Sequence, residues 1–209
     1  LRQSLRAPYF GHIEGHIYLK SEQLESIKNL VGKSNARVVK KFESQFSRLI
    51  GSGFSTSYAT ARMGFYDLMR LLQIGKGDQV ILLGATCSVM VNAVIRRGAI
   101  PVFADIDPET FGSTLDTIKG RVTPKTRMIV AQHSFGIPCD IQPIVRFARL
   151  QKIFLLEDCA LTLGSKINGQ VVGNFGDAAL FSTDHTKPIN TLTGGIIYTQ
   201  DKELFHNMQ

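Results

Sequence analysis

The stretch Ala178-Ala-Leu-Phe181-Ser-Thr-Asp-His-Thr-Lys187-Pro-Ile-Asn-Thr-Leu-Thr-Gly194-Gly-Ile-Ile-Tyr198 holds two short apolar runs with a polar loop and a glycine pair between them. The first run, Ala178 to Phe181, predicts a buried strand that delivers Ser182 and Lys187 to its end, and the second, Gly194 to Tyr198, predicts another. A lysine between two buried strands sits on a loop fixed at both flanks. Lysine condenses with aldehyde cofactors when its ammonium is partly desolvated and the neutral amine is within reach. Lys187 is a candidate for that role, although on its own it reads more readily as a solvated loop residue.

Upstream, Ile153-Phe-Leu-Leu156 is apolar on both faces and runs into Glu157-Asp158. A carboxylate directly after a buried strand loses hydration unless a cation meets it, and a protonated pyridine nitrogen is one such cation. Asp158 is therefore a candidate partner for a pyridinium; the competing reading is a cap for the next helix or for backbone amides. Farther back, Thr60-Ala-Arg-Met-Gly64 lies where a strand passes into a helix, so free N–H groups and the positive end of the helix dipole point at one place. Arg62 in that first turn is repelled by the dipole unless an anion joins it or it turns to water. Ser182 offers a hydroxyl to the same anion.

Outward from these residues, strands are expected at 54–60, 79–83, 101–106, 128–132 and 153–156, and helices at 61–72, 88–97 and 141–150. Ahead of them, Leu24, Ile27 and Leu30 predict a short helix ending at Gly32. Val38, Val39, Phe42, Phe46, Leu49 and Ile50 form the apolar stripe of a second, from Ser34 to a stop at Gly51. The chain thus divides into a helical segment, 1–53, and an α/β domain, 54–209. Strands apolar on both faces predict a three-layer α/β/α fold with a mostly parallel sheet, and ligands gather beyond the carboxyl ends of such strands. Thr86, His133 and Glu157-Asp158 fall there. Gly51-Ser-Gly53 does not follow a strand and has no third glycine in register, so it is not a dinucleotide loop.

The 209 residues suffice for one large domain, and no apolar run reaches the roughly 20 residues of a membrane-spanning helix. The first residues, Leu1-Arg-Gln-Ser-Leu-Arg-Ala, predict no secretion signal. The start without methionine and the helix-like end at Gln209 suggest a piece of a longer chain. Cys87, Cys139 and Cys159 are odd in number and lack metal spacing, which predicts buried thiols and a cytoplasmic protein. The net charge of +7 is spread, with Lys40-Lys41 and Arg96-Arg97 the only adjacent basic pairs, so it suits an anionic small ligand rather than nucleic acid.

With these residues laid out, the chain from about Val38 onward resembles the DegT/DnrJ/StrS family of pyridoxal-phosphate-dependent sugar aminotransferases, of the aspartate-aminotransferase fold type. The resemblance runs through Val38-Val-Lys-Lys-Phe-Glu43, Ile74-Gly-Lys-Gly-Asp-Gln-Val80, Gly98-Ala-Ile-Pro-Val-Phe-Ala-Asp-Ile-Asp107 and Val122-Thr-Pro-Lys-Thr126. It continues in His133-Ser-Phe-Gly-Ile-Pro138, Glu157-Asp158, Gly173-Asn-Phe-Gly-Asp177 and the Lys187 stretch. It implies that Lys187 carries the cofactor covalently and moves the substrate proton, that Asp158 pairs with the ring nitrogen, and that Ala61, Arg62 and Ser182 hold the phosphate. It implies glutamate as amino donor, a nucleotide-linked keto-sugar as acceptor, a homodimer, and a smaller C-terminal domain beyond Gln209. Three departures stand out. Cys87 occupies the position of an aromatic ring stack, Leu161 that of a glutamine, and His185 that of a proline. Cys87 and Leu161 also leave open a non-catalytic relative with a binding role. A dehydratase branch has histidine where this chain has Lys187, so transamination is the expected chemistry.

Overall fold

The computed structural model describes residues 20–30 and 35–209. The first two elements are α1 (Ser21–Leu30) and α2 (Ala36–Ile50). From there β1 (Phe54–Tyr58), α3 (Ala61–Leu71), β2 (Gln79–Leu83), α4 (Ser88–Arg96), β3 (Ile100–Ala104) and α5 (Leu115–Lys119) follow. Next come β4 (Thr126–Gln132), α6 (Ile141–Gln151), β5 (Phe154–Asp158), β6 (Lys166–Ile167) and β7 (Gln170–Val171). The chain continues with β8 (Ala178–Ser182), β9 (Gly195–Thr199) and α7 (Lys202–Asn207). Every predicted strand and helix is present within a few residues. The expected stop at Gly32 lies outside the described residues.

Seven strands form one sheet in the order β1-β9-β8-β5-β4-β2-β3. The pairs from β8 through β3 are parallel, whereas β9 runs antiparallel to both β8 and β1. Alternation along each strand divides the core in two. Val80, Leu82, Val130, Leu156 and Ile197 face α3, α4 and α7. Ile81, Ile129 and Leu155 face α5 and α6, and on the same side Phe181 and Tyr198 meet α2. The three-layer arrangement follows from strands that are apolar on both faces.

Helix α2 is capped at its start by Asn35, whose Oδ1 accepts from Arg37 N and Val38 N. Its predicted apolar stripe is only partly buried. Phe46 and Ile50 pack inward, with Phe46 edge-on to Phe181, while Val38, Val39 and Leu49 are about half exposed. The exposure has a geometric cause: one side of the helix meets the sheet, and the stripe is wider than that contact. Cys87 is a correction to the expected buried thiols, since it is exposed while Cys139 and Cys159 are buried. Cys87 precedes α4 on an open turn, and the other two thiols follow the buried ends of β4 and β5.

Tyr198, fully buried on β9, accepts from Gly53 N at 2.9 Å and donates to Asn174 Oδ1 at 2.8 Å. The phenol thereby joins the entry to β1 with the segment that leads into β8. Tyr198→Phe leaves the Gly53 N–H without its acceptor, and a loss of about 1–2 kcal/mol is expected. Urea unfolding should show a lower midpoint with an unchanged slope.

Candidate active site

Parallel strands bring their carboxyl ends to one edge, and the candidate residues collect there. Asp158 ends β5, Ser182 ends β8, and β1 delivers Tyr58 to the start of α3. In the ladder, Gly195 of β9 pairs with Tyr58 on one side and Ser182 on the other. Two strand spacings, roughly 10 Å, therefore separate Ser182 from the end of β1. Gly195 has a packing reason to be glycine. A Cβ there would strike the backbone of Thr60 and Ala61, so the strand lies directly against the first turn of α3.

That first turn has the character expected of an anion cradle. Thr60 caps it, its hydroxyl accepting from Met63 N. The N–H groups of Ala61 and Arg62 have no hydrogen-bond partner among the described residues. Arg62 is exposed and forms no ion pair among those residues. Ser182 Oγ accepts from Asp184 N at 3.4 Å, which leaves its own proton free to donate.

Asp158 and Glu157 are adjacent carboxylates with different surroundings. Alternation sends Glu157 with Leu155 toward the α5/α6 face and Asp158 with Leu156 toward the α3/α4 face. Glu157, fully buried, accepts four hydrogen bonds: Phe175 N and Gly176 N at 2.7 Å each, Gly173 N at 2.8 Å, and His133 Nε2 at 3.0 Å. The Gly173-Asn-Phe-Gly-Asp177 motif thus wraps a buried anion. His133 is also fully buried, and its Nδ1 accepts from Cys139 N at 3.1 Å. That bond fixes the proton on Nε2. Burial lowers the His133 pKa while its contacts with Cys139, Cys159 and Glu157 raise it above the usual value. A second proton would have to enter at Nδ1 against the Cys139 N–H, so we read the ring as neutral. His133 is thus a satisfied structural histidine.

Asp158 is 5% exposed and has, among the described residues, a single side-chain bond, from Ala160 N to Oδ1 at 3.0 Å. The backbone-amide reading therefore holds for one of its two oxygens. Burial raises its pKa, opposed by the Ala160 N–H and by the charge of Lys187. Lys187 is half-buried and makes no ion pair with Asp158, yet its charge reaches that carboxylate. The two groups therefore lie within electrostatic range of each other without touching. Nearby, the Thr86 hydroxyl is buried without a partner among the described residues, and Cys87 stands exposed at the N-cap of α4. His185 lies outside this grouping, exposed and bonded to Asp184 Oδ1 at 2.8 Å. Leu161 is half-buried, and its carbonyl accepts from Gly136 N.

His133, Glu157 and Cys159 place potential metal-ligand atoms within 4.8 Å of one another. Glu157 and both nitrogens of His133 are already engaged, and burial pushes the Cys159 thiol up to about 12. The cluster is a hydrogen-bond network. Two residues missed from the sequence are Thr183 and Thr191, whose hydroxyls meet at 2.7 Å across the neck of the Lys187 loop. Scattered threonines carry no pattern that announces such a contact.

The family model for DegT/DnrJ/EryC1/StrS aminotransferases matches residues 19–209. The chain belongs to that family. It is 36% identical over 172 residues to the GDP-perosamine synthase of Escherichia coli O157:H7, covering 82% of this chain and 47% of that one. It is 32% identical over 196 residues to the dTDP-4-dehydro-2,3,6-trideoxy-D-glucose 4-aminotransferase of Saccharopolyspora spinosa, covering 90% and 50%. Among solved structures, an aminotransferase from Psychrobacter cryohalolentis superposes with a TM-score of 0.85 at 27% identity, covering 91% of this chain and 50% of that one. This DegT/DnrJ/EryC1/StrS chain spans about half the length of the curated relatives it matches.

Four features suit a phosphorylated pyridine aldehyde. Asp158 is a buried carboxylate without an ion pair, Lys187 is an amine within its electrostatic reach, Thr86 has an unpartnered hydroxyl, and α3 presents free N–H groups. Without a cation beside it, by contrast, the buried Asp158 carboxylate is a burden. A carboxylate whose folded pKa is raised costs stability progressively as pH rises from its unfolded pKa through its folded one. Asp158→Asn retains the acceptor for Ala160 N, so the ligand-free variant should be more stable than wild type at pH 7. The difference should vanish as pH falls below about 4, where the wild-type carboxyl is protonated in both states. Urea unfolding at the two pH values measures this.

Proposed function

We propose that this chain is the cofactor-binding part of a pyridoxal-5′-phosphate-dependent aminotransferase. Its parent protein moves an amino group from an amino acid, glutamate, to a nucleotide-linked keto-sugar for polysaccharide or secondary-metabolite biosynthesis. The observation that carries the reading is Asp158, a dry carboxylate lacking a cation, set within the field of the half-buried Lys187. The names of the two sugar-nucleotide relatives support the substrate class. In this reading 54–209 form the large cofactor domain, with 1–53 a helical segment beside it. The parent works as a cytoplasmic homodimer; among the described residues no helix is long and apolar enough to cross a membrane.

When bound, pyridoxal phosphate supplies an electron sink for charge developing at the substrate carbon. The Asp158 carboxylate would hold a proton on the ring nitrogen, and a cation there relieves the cost of its burial. Lys187 Nζ would hold the aldehyde carbon and, once displaced by the donor amine, take and return a proton at that same nitrogen. Ala61 N, Arg62 and the Ser182 hydroxyl would receive the phosphate, using the free donors of the α3 terminus. Cys87 would give the ring only a small apolar contact. Leu161 gives it no hydrogen bond.

The test is labelling. Pyridoxal phosphate added to the full-length protein should produce a yellow colour that borohydride fixes on Lys187, and Lys187→Ala should lose both the label and, by roughly a thousandfold, amine transfer from glutamate. A colourless protein, or label on a different lysine, would remove the basis of the proposal.

A further inference from the structure

The Lys187 loop is closed at its neck by side chains. Thr183 directly follows Ser182, and Thr191 lies four residues past Lys187. Thr191 N donates to Thr183 O at 2.9 Å, and Thr183 N donates to Gly194 O at 3.0 Å. The Thr191 hydroxyl lies 3.0 Å from Thr183 O and 2.9 Å from Thr193 O, both of which only accept. Its one proton is committed to those carbonyls. The proton of the 2.7 Å contact between the two hydroxyls must then come from Thr183.

Gly194 shows independently that this closeness is built in. A Cβ at Gly194, where φ is +155°, would collide with Thr183 Oγ1 and press on Thr191 Oγ1 at 2.9 Å. The exit of the loop is tied further, since Thr193 Oγ1 donates to Ala59 O at 2.9 Å, two residues before Ala61. The neck is thereby joined to the anion cradle. Inside the loop, Lys187 N donates to Asp184 O at 2.9 Å, so the backbone that carries the amine is fixed relative to the neck.

We propose that the Thr183–Thr191 hydroxyl clasp is a positioning device that sets where the Lys187 amine stands relative to Asp158 and the α3 terminus. The proposal rests on the reading of Lys187 as the covalent anchor. Thr183 and Thr191 touch no reacting atom; they act through the loop. An amine displaced by about an ångström loses much of its advantage in a bond-forming step.

The test compares Thr191→Val, Thr191→Ser and Gly194→Ala with wild type in the full-length protein, each well below its own melting transition. Valine keeps the shape and removes the hydroxyl. Serine restores the hydroxyl. Borohydride trapping of pyridoxal phosphate on Lys187, followed by peptide mass spectrometry, should be roughly tenfold to a hundredfold slower in Thr191→Val. Gly194→Ala, which forces the hydroxyls apart, should behave like Thr191→Val, and Thr191→Ser should trap at nearly the wild-type rate. The pH at which the yellow colour is half lost should move in the valine variant alone of the two Thr191 variants, and amides of 184–190 should exchange hydrogen faster there. Wild-type trapping rate and colour in Thr191→Val would overturn the proposal, as would failure of serine to rescue. Absence of label on Lys187 in wild type would instead bring down the anchor reading, and the clasp's positioning role with it.

Discussion

The Glu157 carboxylate is the constraint on which the ligand edge depends. A charge in a dry interior is tolerated only when its oxygens are met by donors of good geometry. Glu157 finds three backbone N–H groups and one imidazole N–H, and these come from the end of β4 and from the segment entering β8. Three neighbouring strand ends are thereby locked in register. Because the side chains of β5 alternate, fixing Glu157 on one face fixes Asp158 on the other, under the start of α3 and α4. The satisfied anion and the candidate functional one occupy consecutive residues, and the sheet sends them to opposite faces.

The contrast between them is one of satisfaction. Glu157 has four donors, while Asp158 has, among the described residues, one backbone N–H and the distant charge of Lys187. The unmet demand and the fully met one sit one residue apart. The same logic separates the histidines. His133 has both nitrogens engaged in the interior, and His185 is a solvent-facing neighbour of Asp184.

Much of this was legible in the sequence because burial on both faces leaves unbroken apolar runs. Val80 to Leu83, Leu155-Leu156 and Ala178 to Phe181 each mark a central strand, and polar residues at their carboxyl ends mark the ligand edge. The antiparallel placement of β9 was not legible, since an apolar run of five residues states burial and not direction. Helix α5 and the β6–β7 hairpin escaped for want of length, with strands of two residues each in the hairpin. Asn168-Gly169, both at positive φ, was nevertheless a turn signal open to reading. Arg62, Ser182, Asp158 and Lys187 are candidates singled out by chemistry at strand and helix ends. The half-exposed stripe of α2 shows the limit of periodicity, which reports an apolar face but not how wide a surface will meet it.

Gly195 joins two fittings that would otherwise move separately. With its backbone against Ala61 and its ladder partner Ser182 on the opposite side, the donors for an anion and the entrance to the lysine loop share one mount. Such a mount behaves as a gauge block. Under the proposed function, a guest would span a set length from its charged tail to its electrophilic carbon, and one bond more or fewer would leave one end unmet. Selectivity by length would then be set at the anion end by main-chain geometry, and at the amine end by the threonine clasp.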